Sequence, residues 1–170
     1  MVRAVVENGD TIPTSTLRTL YVFRPLYFNN AQERVAYTRL VRDVKRTLPY
    51  AKIVSSTLLE TYEYMETLPS DRARQKHLRR MEKELYDQYM PELKKLTFTQ
   101  GKLLLKLITR ETSSSSYELI DAYLGGFTAS FWNFFAGLFG ATLKTEYDPA
   151  NVPEDAAIER VALQVENGQI

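Results

Sequence analysis

The stretch from Thr97 to Lys144 constrains the fold more than any other. It concentrates the apolar matter of the chain, with the only Trp, most of the Phe and most of the Gly. Its first part, Leu103, Leu104, Leu105, Leu107 and Ile108, is apolar around most of a helical circumference, so the helix must be buried on several sides. Each of those side chains contributes about 2 kcal/mol when fully buried. Lys102, Lys106 and Arg110 are spaced at four-residue intervals and share the remaining polar face. Thr97 and Gln100 suit a capping box at the start of this helix. Arg110-Glu111-Thr112 and the serines Ser113 to Ser116 form a polar cluster. Thr112 to Ser116 is expected to be a loop, with Ser115 and Glu118 capping the next helix.

From Ala122 to Leu143 there is no charged residue, and the run is long enough to cross a membrane. Gly125-Gly126, Asn133 and scattered Thr and Ser argue instead for a core helix that another helix approaches closely. No membrane span is therefore expected.

Helical periodicity dominates the residues before this stretch. Asn30 and Glu33 resemble a capping box. Tyr37, Leu40, Val41, Val44 and Leu48 then mark one buried stripe. Pro49 is expected to end that helix and open the next. Ala51, Val54, Leu58, Tyr62, Met65 and Leu68 continue the spacing. Pro69 breaks it and Ser70 caps a charged helix running to about Tyr89, with Leu78, Met81 and Leu85 as its seam and Pro91 at its end.

Residues 2–28 read as strands. Val2 to Val6 precede Asn8-Gly9, a dipeptide suited to a tight hairpin turn. A second run holds Leu17, Tyr21 and Phe23, limited by Pro13 and Pro25. At the other end, Pro153 to about Leu163 suits a short helix with Ile158, Ala162 and Val165 inward, stopped by Asn167-Gly168. The expected fold is mainly α: a helical bundle of about five helices with a small N-terminal β hairpin. One domain spans 1–170, with a hairpin arm (1–28), a bundle (30–144) and an acidic tail (145–170).

Composition removes several function classes. The chain has 170 residues, a net charge of +1, no Cys and one His. Disulfides, thiolate catalysis and sites built on several histidines are excluded within one chain. No cofactor is expected. Arg34, Arg39, Arg42, Lys45, Arg46 and Lys52 make residues 31–52 locally basic, but acidic residues of the C-terminal tail offer an internal partner and no recognition motif is present, so a nucleic-acid partner is not expected. The sole His77, in a charged helix, is read as exposed and inert.

Several motifs occur together: Gly9-Asp10-Thr11-Ile12-Pro13, Pro49-Tyr50-Ala51-Lys52, Leu96-Thr97 with Gln100-Gly101-Lys102, Lys106-Leu107-Ile108 with Arg110-Glu111-Thr112, Ser116-Tyr117-Glu118-Leu119, Phe131-Trp132, Phe139-Gly140 and Leu143-Lys144. Together they resemble an uncharacterised Bacteroidetes family, domain of unknown function 4294, over nearly the whole chain. The resemblance implies relatives with a signal peptide, hence a periplasmic or envelope location with Met1 not native; a cytosolic location is the alternative. It implies no activity or catalytic residue. Where such relatives usually have Gly after Arg-Glu-Thr, this chain has Ser113.

Candidate binding residues are Gln100, Lys102, Arg110, Glu111, Ser116, Tyr117, Trp132 and Lys144, which could converge on one polar pocket. A simpler role for Arg110 and Glu111 is to close a helix end. The serines lack a base fixed beside them and a Gly-x-Ser-x-Gly elbow, so a capping loop is the plainer reading. Glu111, Glu118 and Asp121 are candidate acids for glycoside hydrolysis, with the helix dipole as the simpler explanation. The function expected is a non-catalytic, envelope-associated module binding a partner protein or a glycan, with the hairpin as docking edge. The alternative is an enzyme acting on a cell-envelope polymer through the Arg110–Tyr117 loop. The oligomeric state is left open.

Overall fold

One long helix, α1 (Ala31–Glu66), organises the molecule in the computed structural model, which describes residues 3–7, 10–15, 19, 21–113 and 147–170. Its start follows from the Asn29-Asn30 pair. The Asn30 side chain accepts from the Glu33 N–H at 2.8 Å, and the Glu33 carboxylate accepts from the Asn29 N–H at 2.9 Å. Two otherwise orphaned donors are thereby satisfied.

α1 does not break at Pro49, which corrects the expectation of two helices. Val44, Leu48, Ala51, Val54, Leu58 and Met65 form one continuous buried stripe through the proline. A proline inside a helix costs one hydrogen bond, here to the Lys45 carbonyl, and a steric clash. Pro49 and Lys45 both lie on the exposed side of the helix. The burial on either side outweighs the loss, since each aliphatic side chain contributes about 1.5–3 kcal/mol.

Thr67 to Ser70 turn the chain into α2 (Asp71–Leu93). Ser70 caps it by accepting from the Ala73 N–H at 3.3 Å, and Arg74 Nε donates back to the Met65 carbonyl at the end of α1 at 3.3 Å. Pro91 sits inside the last turn of α2 and does not end it. His77 is half-buried against the Tyr64 ring, with centroids 4.5 Å apart, and is not the exposed residue expected. Burial, and then Arg80, push its pKa below the ordinary value.

α3 (Phe98–Ser113) begins with the expected box: Gln100 N–H donates to Thr97 Oγ1, and Thr97 N–H donates to Gln100 Oε1. Thr112 and Ser113 belong to this helix and not to a loop. The Thr112 hydroxyl donates to the Ile108 carbonyl at 2.9 Å, so the helix itself satisfies a buried polar group. The expected helices, caps and run from Ser114 to Lys144 lie outside the described residues.

The fourth described helix is α4 (Pro153–Glu166). Pro153 occupies its first turn, where a missing N–H costs nothing, with Glu154 and Asp155 placed to meet the helix dipole. At its end the Gly168 N–H donates to the Val165 carbonyl and the Gln169 N–H to the Gln164 carbonyl. This Schellman closure needs a left-handed residue, and Gly168 has φ +66°. α4 is no mere tail. Ile158, Val161 and Ala162 are buried with Val44, Leu48, Ala51, Leu93, Leu103, Leu104 and Leu107 in the main core. A second cluster joins Val54, Leu58 and Met65 of α1 to Leu78 of α2, and Ile108 packs against both.

The hairpin pairs β1 (Arg3–Glu7) with β2 (Asp10–Thr14), antiparallel, with Glu7 opposite Asp10 and Ala4 opposite Pro13. The second strand is thus 10–14 and not the run around Leu17 to Phe23. Only Asn8 and Gly9 separate the strands, so pairing resumes at once. Alternation from the Glu7–Asp10 pair puts Pro13 at a non-hydrogen-bonded position, where it removes no ladder bond. Residues 21–28 have no regular structure. Among the described residues, the architecture is mainly helical, and no helix is long and apolar enough to cross a membrane.

Candidate functional site

The last turns of α3 carry Lys106 and Arg110 towards α4, whose Asp155, Glu159 and Glu166 recur at helical spacing on one face. Arg110 is bidentate to Glu159 (Nε–Oε2 2.7 Å, Nη2–Oε1 3.0 Å) and bidentate to Glu166 (3.0 Å for each contact). Its Nη1 also donates to Glu111 at 2.5 Å. All five guanidinium N–H donors are therefore engaged by carboxylates. The side chain is 12% exposed.

Neighbours extend the cluster. Lys52 of α1 pairs with Glu166 at 2.8 Å, Lys106 pairs with Asp155 at 2.6 Å, and the Tyr147 hydroxyl donates to Glu159 Oε2 at 2.7 Å. Asp155, only 2% exposed, uses its other oxygen to accept the Asp148 N–H at 3.0 Å.

Electrostatics follow from the geometry. Burial opposes charge on Arg110, but the bonds to Glu159 and Glu166 outweigh it and hold its pKa above the ordinary value. Burial likewise opposes ionisation of Glu159 and Glu166, and Arg110 wins there too, holding both below the usual carboxylate range. Burial, and then the bond to Glu159, raise the Tyr147 phenol. Lys106 is raised by Asp155 against the penalty of its burial. Carboxylates held ionised do not serve as general acids at neutral pH, and a guanidinium with every donor occupied has none left for a ligand. The arrangement clasps α4 to α3 and α1.

The predicted site residues disperse around this clasp. Gln100 is 3% exposed, and its amide donates to Asp43 Oδ1 at 2.8 Å while closing the α3 cap. Lys102 is exposed, its ammonium 4.4 Å from the Phe98 ring centroid. Arg110 and Glu111 meet in the clasp. Ser116, Tyr117, Trp132 and Lys144 lie outside the described residues. Among the described residues no cluster of acids and His is suited to a metal. The tail acids do partner the basic helix at Lys52–Glu166. Sequence reasoning missed Asp43, Tyr147 and the pairing of Asp155, Glu159 and Glu166 with α3. A signal for that pairing existed: acids on one face of a helix, matching a basic stripe of the same pitch on α3.

A second feature lies along the C-terminal half of α4. Tyr21 to Pro25 run beside Arg160, Gln164 and Gln169 and leave an open groove of about 410 Å³. Arg160 Nη2 donates to the Arg24 carbonyl at 2.6 Å, Gln169 Nε2 donates to the Tyr21 carbonyl at 2.9 Å, and the Arg160 guanidinium lies 5.0 Å from the Phe23 ring centroid. These contacts fix the arm, yet Val22 remains 86% exposed and Tyr27 88% exposed.

Such a bundle, closed by an ionic clasp and carrying an apolar arm, has the features of a helical domain without a built reaction centre among its described residues. The chain matches, over residues 10–164, the model of the family described as domain of unknown function (DUF4294), and it belongs to that family. Neither the curated proteins nor the solved structures contain a match to it.

Proposed function

We propose that this chain is a non-catalytic module of a Bacteroidetes cell envelope, working in the periplasm after loss of a signal peptide, and that it binds a partner protein through its N-terminal arm. The observation that carries the reading is the contrast between two surfaces. Of the candidate residues that are described, Arg110 and Glu111 are consumed in the clasp and Gln100 in a cap. The arm instead presents Val22, Leu26, Tyr27 and Phe28 to solvent while α4 holds its backbone. Exposed aromatic and aliphatic side chains on an anchored segment suit protein contact, because little ordering entropy remains to be lost on binding. No observation among the described residues favours the rival, an enzyme acting through the Arg110–Tyr117 loop.

Site-specific photo-cross-linking in the native cell tests this. A photoreactive residue at Val22 or Tyr27 should yield a discrete protein adduct that the same group at Lys76, exposed on α2, does not. Failure of adducts at the arm, or identical adducts from Lys76, would overturn it. Cell fractionation checks the location: recovery in the cytosolic fraction would remove the envelope part of the proposal.

A further inference from the structure

We infer that the groove between residues 21–25 and the C-terminal half of α4 binds an acidic peptide segment of the partner; this rests on the partner-binding reading above. Charge carries the assignment. Arg24 and Arg160 both line the groove, and neither forms an ion pair with a described residue. Elsewhere on this helix the chain matches charge closely, as the clasp shows. Arg160 Nε is moreover buried, with no acceptor among the described residues. Its Nη1 makes no hydrogen bond to a described residue and is not buried as Nε is, so a guanidinium beside an aromatic ring keeps a reachable donor for a carboxylate.

Backbone chemistry supports a peptide as the carrier of that carboxylate. The N–H groups of Tyr21 to Arg24 donate no hydrogen bond to a described residue, although two carbonyls of the same segment are held by α4. An incoming chain can supply carbonyl acceptors to those donors, as a strand does at a sheet edge. The exposed Val22 and half-buried Phe23 offer an apolar contact beside the cations. The occupant is thus a segment in which acidic and aliphatic residues alternate.

Fluorescence anisotropy on the full chain tests this with a labelled peptide alternating Glu and Val and a counterpart alternating Gln and Val. The Glu peptide should bind saturably, weaken with added salt, and bind more tightly than the Gln peptide by roughly fivefold or more, the value of about one well-placed ion pair. Arg24→Gln and Arg160→Gln should each weaken it by a similar factor, and Arg160→Lys should retain much of the binding. Arg24→Gln is the safer variant for folding, because α4 holds the Arg24 carbonyl and not its side chain. Equal binding of the Gln peptide, no saturable binding, or insensitivity to Arg24→Gln would overturn the inference. Tighter binding of an oligouronate than of the Glu peptide would overturn the peptide assignment. Cross-linking from Val22 that persists while the Glu peptide fails to bind sinks the groove proposal alone. Loss of cross-linking sinks the partner reading itself.

Discussion

Arg110 faces three carboxylates with one charge, and its neighbours Lys52 and Lys106 share the compensation. Replacing it leaves Glu159 and Glu166 half-buried and mutually repelling. Breaking a buried pair by removing one partner costs about 3–5 kcal/mol. Arg110→Met should sit near the lower end, since Glu111, Glu159 and Glu166 all retain solvent contact, and should lower Tm by roughly 6–12 °C for a chain of this length. A calorimetric shift under about 2 °C would mean that the clasp adds nothing net. The same residues set the acid limb of stability. Glu159 and Glu166 have folded pKa values below their unfolded ones, so the unfolded state binds protons first as pH falls. Their contribution is complete above the unfolded carboxylate value of about 4.3. It is lost as pH drops from there through the depressed folded values. Urea midpoints measured between neutral and acid pH should therefore fall for the parent and fall less steeply for Arg110→Met. Parallel curves would show that other carboxylates carry the acid sensitivity.

At the level of elements, α1 shows a local rule overruled by a longer pattern. Pro49 reads as a helix end by its own chemistry. The stripe from Val44 to Met65 runs through it without a phase change, and burial decides the outcome. Pro49→Ala should return the hydrogen bond to Lys45 and remove the ring clash. An interior proline costs about 3 kcal/mol relative to alanine, so a gain of roughly 1–3 kcal/mol is expected in urea unfolding. No gain would mean that the helix is already adapted to the ring. The starts of α1, α2 and α3 and the end of α4 were legible, whereas α2 runs past Pro91 and α3 includes Thr112 and Ser113. Asn30 with Glu33, Ser70, Thr97 with Gln100, and Asn167-Gly168 all act at their sequence positions, because capping depends on neighbours three or four residues away. The clasp was not legible in the same way. Arg110 meets Glu159 and Glu166 across separations of 49 and 56 residues, which no local spacing rule reaches. The second strand was misplaced for the opposite reason: the Asn-Gly turn signal in the sequence acts at shorter range than the β-forming run around Tyr21.

Across the molecule, α4 is joined to the rest by two kinds of interaction, and both are needed. Ile158, Val161 and Ala162 close the core over Val44, Leu48 and Leu104, while the acidic face of the same helix neutralises Lys106 and Arg110. Ending the chain after Asn151 therefore removes apolar cover and partners for three cations, Lys52, Lys106 and Arg110, at once. The remaining cavity cannot simply refill, because the exposed pocket would place charge beside aliphatic carbon. Such a chain should lose the cooperative thermal transition, weaken the near-ultraviolet circular dichroism of its aromatic residues, and bind a hydrophobic dye, while keeping much of its helical signal. Removing residues 1–20 is the contrasting experiment. Among the described elements the strands contact chiefly each other, so that loss should leave the unfolding midpoint within a few degrees of the parent. A cooperative, dye-free chain ending at Asn151 would show that α4 is an appendage. A chain that unfolds without residues 1–20 would show that the hairpin belongs to the core, and binding by the arm could then no longer be separated from the stability of the bundle.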